Sequence, residues 1–319
     1  MARGHWQAAA IVAAAALLVA VALPQTTSPC TRVNVTPAVG ASDIAKVLGS
    51  AADATVLSTD PFILLFEQFA TPSEVEQLVD TMTTQQARQF EKSTMGPSAS
   101  KAALRSSRSI YCDTPLCYEA PIVHSLMGRI GRITRTPEAN AEFLQLLRYD
   151  VGEQYRIHHD FIGGGDVGGA GGRVYSFVLF LSDTEEGGEL HFADVNITIT
   201  PRIGSAVLWP TLMSEDLSLP EMMTHHASLP VTRGQKLAAV TWVRQHDWRT
   251  LAVERRCRVD GAATLEPPLV MLAKYMKARE AAGLEPKAPV SLIAKLQAEK
   301  DYKDSSTQGG AGTNRTMRG

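Results

Sequence analysis

The hydrophobic pattern divides the chain into stretches of different period. It opens with an apolar run from Ala8 to Leu23, preceded by Arg3 and His5 and closed by Pro24. That length lies between a signal-peptide core and a full membrane span, and Ala20 and Ala22 offer a small-x-small cleavage pattern. Residues 1–24 therefore read as a signal peptide or a retained single N-terminal membrane anchor. Residues 25–58, rich in Thr, Ser, Ala, Pro and Gly, read as a spacer, with order expected from Pro61. The run PFILLFEQF (61–69) predicts a buried strand. Thr71-Pro72-Ser73-Glu74 predicts a capped helix start, continued by Val75, Leu78, Val79 and Met82 at helical spacing. A second helix is predicted over 121–133, with Ile122, Leu126, Met127 and Ile130 on one face. The Ser- and Ala-rich residues 93–109 between them read as a mobile loop.

From Glu142 to Trp248 the period shortens. Strands are predicted at 143–149, 155–161, 173–181, 189–193, 196–200, 205–209, 225–231 and 236–244, separated by turn residues. About eight short strands suggest a sandwich or barrel. Beyond Trp248 come a basic stretch and two helical segments, near 267–281 and 289–300. The polar tail 302–319 predicts disorder. The fold class is thus α+β with a mainly β core, N-terminal supporting helices and a C-terminal helical extension over 249–301.

Composition narrows the function classes. The 319 residues are 45% hydrophobic and 20% charged, with a formal net charge of −2, which argues against a nucleic-acid binder. The length suggests about two domains, but removing leader, spacer and tail leaves one unit over 60–248. Cys112 and Cys117 predict a local disulfide in an oxidising lumen, whereas the pairing of Cys30 with Cys257 stays open. Asn34, Asn196 and Asn314 begin N-x-Thr triplets, Asn196 within a predicted strand. Gly163, Gly165 and Gly168 satisfy G-x-G-x-x-G, but a strand follows where a nucleotide site needs a helix.

The chemistry gathers in YRIHHDF, residues 155–161. Residues two apart on a strand share a face, so His158 and Asp160 can reach one metal while His159 points away. A third ligand is available at His226 or its neighbour His225. Two imidazoles and a carboxylate suit non-haem Fe(II) with open positions, and zinc is also allowed by the chemistry. Lys236 opens the apolar strand LAAVTWV. A lysine there is costly to bury without an anionic partner, and the far carboxylate of a dicarboxylate co-substrate would supply one.

With these residues in place, LQLLRYDVGEQYRIHHDF (144–161) resembles the metal-binding stretch of prolyl 4-hydroxylases. The similarity continues through RVYSFVLFLSDTEEGGELHF (173–192), PRIGSAVLWP (201–210) and HASLPVTRGQKLAAVTW (226–242), and more weakly into PFILLFEQFATPSEVEQL. The resemblance implies a double-stranded β-helix (jelly roll) and a dioxygenase using Fe(II), 2-oxoglutarate and O2, with ascorbate supporting turnover. It implies His158, Asp160 and His226 as metal ligands, with His226 favoured over His225 by its spacing to Pro230. It implies Lys236 for the distal 2-oxoglutarate carboxylate, Tyr149 as a hydrogen-bond donor to 2-oxoglutarate, Arg173 near the bound peptide, and Tyr155 and Trp242 as aromatic positions around the site. Leu190 stands where the family usually has threonine, Leu229 where a cysteine is common and Leu237 where a tryptophan is frequent. The implied substrate is a proline-rich secretory polypeptide. The rivals are a related oxygenase acting on another residue or a small molecule, and a proline-rich-peptide binding module.

Overall fold

The computed structural model describes residues 53–85, 89–93, 105–162, 170–250 and 268–294. The expected signal peptide or anchor, most of the expected spacer, Cys30, Cys257, Asn34, Asn314, the Gly-rich residues 163–169 and the polar tail lie outside them.

Alternation along the strands builds the architecture. The strands are β1 (Ala54–Thr59), β2 (Phe62–Phe66), β3 (Glu91–Lys92), β4 (Arg108–Tyr111), β5 (Gln145–Tyr149), β6 (Tyr155–His158), β7 (Arg173–Phe180), β8 (Glu186–Gly187), β9 (Leu190–Phe192), β10 (Ile197–Ile199), β11 (Ala206–Pro210), β12 (His226–Ser228), β13 (Val231–Arg233) and β14 (Lys236–Arg244). An eight-stranded sheet has the order β1-β2-β11-β7-β14-β5-β4-β3, and a four-stranded sheet the order β10-β9-β12-β6. Pairing is antiparallel throughout. From β5 to β14 the chain passes back and forth between the two sheets, which is consistent with a jelly roll.

Each strand of the large sheet has an inner and an outer face. On β7, Tyr175, Phe177 and Leu179 join a core shared with two helices, α1 (Pro72–Asp80) and α2 (Pro121–Thr134). On the other face, Phe180, Val207 and Trp209 meet Leu190, Phe192 and Ile199 of the small sheet. The same alternation sends Ala239 and Val243 of β14 towards the helices, while Lys236, Ala238, Val240, Trp242 and Arg244 share the opposite face. The helix α1 begins with a capping box between Thr71 and Glu74, and Glu74 also pairs with Arg129 of α2.

Three expectations change. Strand β1 lies within the expected spacer and hydrogen-bonds to β2, so order starts before Pro61. The expected loop 93–109 already contains the start of β4, with Arg105, Ser107 and Ser109 buried; residues 94–104 are outside the described set. Asn196 is not in a strand: it sits in the exposed turn before β10 with a left-handed φ of 53°. Cys112 and Cys117 form a disulfide. The helix α3 (Pro268–Ala281) and a helical turn over 290–294 pack on Met213, Leu219, Met222 and Met223 through Tyr275 and Leu292. The predicted segment near 289–300 is described only to residue 294.

Candidate metal centre

The antiparallel pairing of β6 with β12 sets His158 directly opposite His226. Asp160 follows two residues after His158 and completes a cluster whose ligand atoms all lie within 4.8 Å of one another. Asp160 Oδ1 is 3.6 Å from His158 Nε2, and Oδ2 is 3.6 Å from His226 Nε2. The other ring nitrogens are committed elsewhere. His158 Nδ1 donates to Arg156 O at 2.8 Å and His226 Nδ1 to Thr224 O at 3.0 Å. That places the ring protons on Nδ1 and leaves both Nε2 lone pairs facing Asp160. Ser176 Oγ donates to Asp160 Oδ2 at 2.7 Å and holds the carboxylate in place.

The electrostatics suit a cation. Burial, and then the neighbouring His226, hold the His158 pKa well below the usual histidine range, and burial also lowers His226. Burial alone would raise Asp160, but His226, His158 and Arg173 hold it well below the usual carboxylate range. Two neutral imidazoles and one carboxylate are the protonation states a divalent metal requires. The donor set, with one face lined by protein, fits Fe(II).

His159 and His225 turn away from this cluster. His159 Nε2 donates to Glu221 O at 2.8 Å, and its pKa is pushed down to about 3 by burial and by His225. His225 Nδ1 lies 3.2 Å from Asp194 Oδ2.

Lys236 is 3% exposed, and Nζ donates to Gly188 O at 2.6 Å and to Ser228 Oγ at 2.7 Å. Both acceptors are uncharged, and burial lowers the lysine pKa to about 7. Ser228, which accepts from the ammonium, shares a strand face with His226 and stands two residues, roughly 7 Å, further along β12. Tyr149 pairs with Lys236 across β5 and β14. It is buried, and its phenol hydrogen-bonds with Ser107 and Ser228.

A family model of the 2OG-Fe(II) oxygenase superfamily matches residues 144–244, the segment that contains His158, Asp160, His226, Lys236 and Tyr149. Residues 144–244 are thus similar to 2-oxoglutarate–Fe(II) oxygenase domains. Prolyl 4-hydroxylase subunit alpha-1 of Rattus norvegicus is 28% identical over 190 residues, covering 58% of this chain and 35% of that protein. Prolyl 4-hydroxylase 1 of Arabidopsis thaliana is 26% identical over 204 residues, covering 60% of this chain and 71% of that protein. The chain thus spans about a third of the length of the alpha-1 relatives it matches. The viral collagen prolyl hydroxylase from Paramecium Bursaria Chlorella virus-1, in its 2OG complex, aligns with a TM-score of 0.44 and 22% identity over 57% of this chain and 94% of that one.

The remaining site residues flank the His158–Asp160–His226 cluster. The Tyr155 ring stacks on His158 with centroids 3.4 Å apart, and the Arg105 guanidinium lies over the Tyr155 ring, 4.9 Å from its centre. Arg173 lies 3.6 Å from the centre of the Trp242 ring. It is not free to point anywhere: Nε and Nη2 donate to Glu142 at 2.7 and 2.8 Å. Arg244 Nε donates to the same carboxylate at 2.7 Å. Burial would raise the Glu142 pKa, but Arg173 and Arg244 hold it below the usual range. Sequence reasoning missed Glu142, Arg244, Arg105, Ser176 and Ser228. Arg244 carried a signal, because it follows Trp242 by two residues on one strand.

Proposed function

We propose that the chain is a peptidyl-proline 4-hydroxylase of proline-rich secretory polypeptides, built on a double-stranded β-helix. The observation that carries this reading is the buried Lys236, whose Nζ donates to two uncharged acceptors, Gly188 O and Ser228 Oγ, the second on the strand that also supplies His226. A buried ammonium in that position calls for an anion. The separation along β12 is one that a five-carbon dicarboxylate can bridge, with one end at the triad and the other at Lys236.

Fe(II) with 2-oxoglutarate and O2 supplies the oxidising power for hydroxylating an unactivated C–H bond. The chain's own residues do the rest. His158, Asp160 and His226 hold the metal, and Arg156 O, Thr224 O and Ser176 fix how they face it. Lys236, with Ser228 and Tyr149 beside it, holds the distal carboxylate and so orients the co-substrate. Ascorbate would support turnover.

The substrate side fits proline. A proline-rich segment exposes carbonyl acceptors but few N–H donors, and its polyproline II shape docks on aromatic surfaces. The half-buried Tyr155 offers such a surface, and Trp242 Nε1, behind Arg173, is a buried donor with no acceptor among the described residues. The Cys112–Cys117 disulfide and the apolar leader support a secretory lumen.

The test is succinate release from 2-oxoglutarate by Fe(II)-loaded protein, with poly-proline and collagen-like peptides and with ascorbate. Peptide-stimulated release together with one oxygen added at proline C4, located by mass spectrometry, supports the reading. Oxygen placed on lysine or on a small molecule instead moves the assignment to a related oxygenase. No peptide-stimulated release under varied metal and ascorbate sinks it.

A further inference from the structure

We infer that the C-terminal extension is a brace for the metal ligands, with Tyr275 and Ser291 as positioning residues that set metal affinity. The inference rests on His158, Asp160 and His226 holding the metal. Two chains of polar contacts connect the extension to the back of that site. In the first, Tyr275 OH donates to Glu221 Oε1 at 2.6 Å, and Glu221 O accepts from His159 Nε2 at 2.8 Å. His159 stands between the ligands His158 and Asp160. In the second, Ser291 N and Oγ donate to the two oxygens of Asp194 at 2.8 and 2.7 Å, and Asp194 Oδ2 lies against His225, 3.2 Å from an Nδ1 that also meets Met222 O at 2.6 Å. His225 immediately precedes the ligand His226. The two non-ligand histidines lie edge to face with their ring centroids 5.1 Å apart, so both chains end on one unit.

Simple packing would not require this chemistry. Met222, Met223 and Leu292 already supply an apolar contact between the extension and the oxygenase domain. Glu221 and Asp194 are carboxylates with little or no access to water, and each is costly to bury unless its oxygens are satisfied. Part of that satisfaction comes from the extension. The segment they anchor, 221–226, includes Thr224, whose carbonyl accepts from His226 Nδ1 and orients the ligand ring. Arg279, clamped on Asp60, fixes α3 against the start of β2, so the brace has a rigid base.

The test uses the full chain, stripped of metal and titrated with Co(II), whose visible absorption reports ligand geometry. Tyr275→Phe keeps the ring and removes the hydroxyl. It is expected to weaken Co(II) binding about tenfold, in the range of outer hydrogen-bond partners of metal ligands, and to alter the absorption band. Ser291→Ala is expected to act in the same direction and serves as the deciding variant if Tyr275→Phe does not fold. Unchanged Co(II) affinity and spectrum, whether or not the apo melting temperature falls, overturns the brace. Wild-type protein that does not bind Co(II) overturns the metal assignment itself, so the two failures are told apart.

Discussion

Ser228 Oγ accepts a hydrogen bond from Lys236 Nζ at 2.7 Å, and Ser228 sits directly across from Leu190 in the pairing of β9 with β12. The resemblance to prolyl 4-hydroxylases places a threonine where this chain has Leu190, and the leucine is packed with Phe180 and Phe192 instead. A hydroxyl is therefore present beside the lysine, but it comes from the neighbouring strand.

That arrangement makes Ser228→Ala informative. The loss of one hydrogen bond to a charged group is expected to weaken 2-oxoglutarate binding by about 1.5–3 kcal/mol, roughly ten- to a hundredfold. Adding Leu190→Thr to Ser228→Ala returns a hydroxyl to the facing strand and is expected to recover part of the loss. Calorimetric titration of Mn(II)-loaded protein measures both. Equal affinity in wild type and Ser228→Ala would show that the hydroxyl plays no part in holding the co-substrate.

Lys236 gives a pH signature. Its pKa in the folded protein is lowered to about 7 by burial, against an ordinary value of 10.5. Between those values the unfolded chain binds a proton that the folded chain does not. Stability of the co-substrate-free protein contributed by this residue therefore rises with pH across that window, and below about 7 the full cost of the buried charge is present. A bound dicarboxylate reverses the preference and favours the charged lysine. At pH 8, binding is expected to take up about one proton. Titrations in buffers of different ionisation heat measure that uptake, and Lys236→Met is expected to abolish it and to weaken binding at least tenfold. The same uptake in Lys236→Met would assign the proton to another group.

The alternatives at 225 and 226 separate by substitution. His226→Ala removes a nitrogen that faces Asp160 at 3.6 Å, and is expected to lower metal affinity by more than about a hundredfold. His225→Ala removes a partner of Asp194 and leaves the three ligands in place, so measurable binding should remain. Equilibrium titration with Co(II) compares the two; a greater loss in His225→Ala would exchange their roles.

Much of this site was legible because strands have a period of two. The alternation in YRIHHDF separated His158 and Asp160 from His159, whereas Lys236 alone read as an exposed strand end and only the resemblance gave it a place in the site. The strand predicted at 236–244 is the observed β14. What escaped depends on separation along the chain. Glu142 meets Arg173 across 31 residues and Arg244 across 102, and no local pattern announces such a triad. Strand β1, ATVLST, was hidden in a Thr-, Ser- and Ala-rich stretch because its two-residue period shows only when β2 lies beside it. The extension behind the metal site was equally opaque. Tyr275 reads as one aromatic residue on a helix until Glu221 is placed against its hydroxyl.

Glu142 is the last test, because it joins stability to the substrate side of the site. Its carboxylate accepts from Arg173 and Arg244 and is nearly inaccessible, so it neutralises two guanidinium groups away from water. Glu142→Gln preserves shape but leaves both positive charges without their counterion. Breaking a buried pair this way is expected to cost about 3–5 kcal/mol, seen as a lower urea midpoint at unchanged slope. The carboxylate's folded pKa lies below its ordinary value of 4.5, so its contribution is present above that pH and is lost as pH falls through the folded value. The difference between wild type and Glu142→Gln should therefore shrink on acidification. Release of Arg173 from its double hydrogen bond also frees it to leave the Trp242 face, which predicts a higher KM for peptide with little change in 2-oxoglutarate affinity. A pH-independent loss of stability would mean that the glutamate acts through its shape and not its charge.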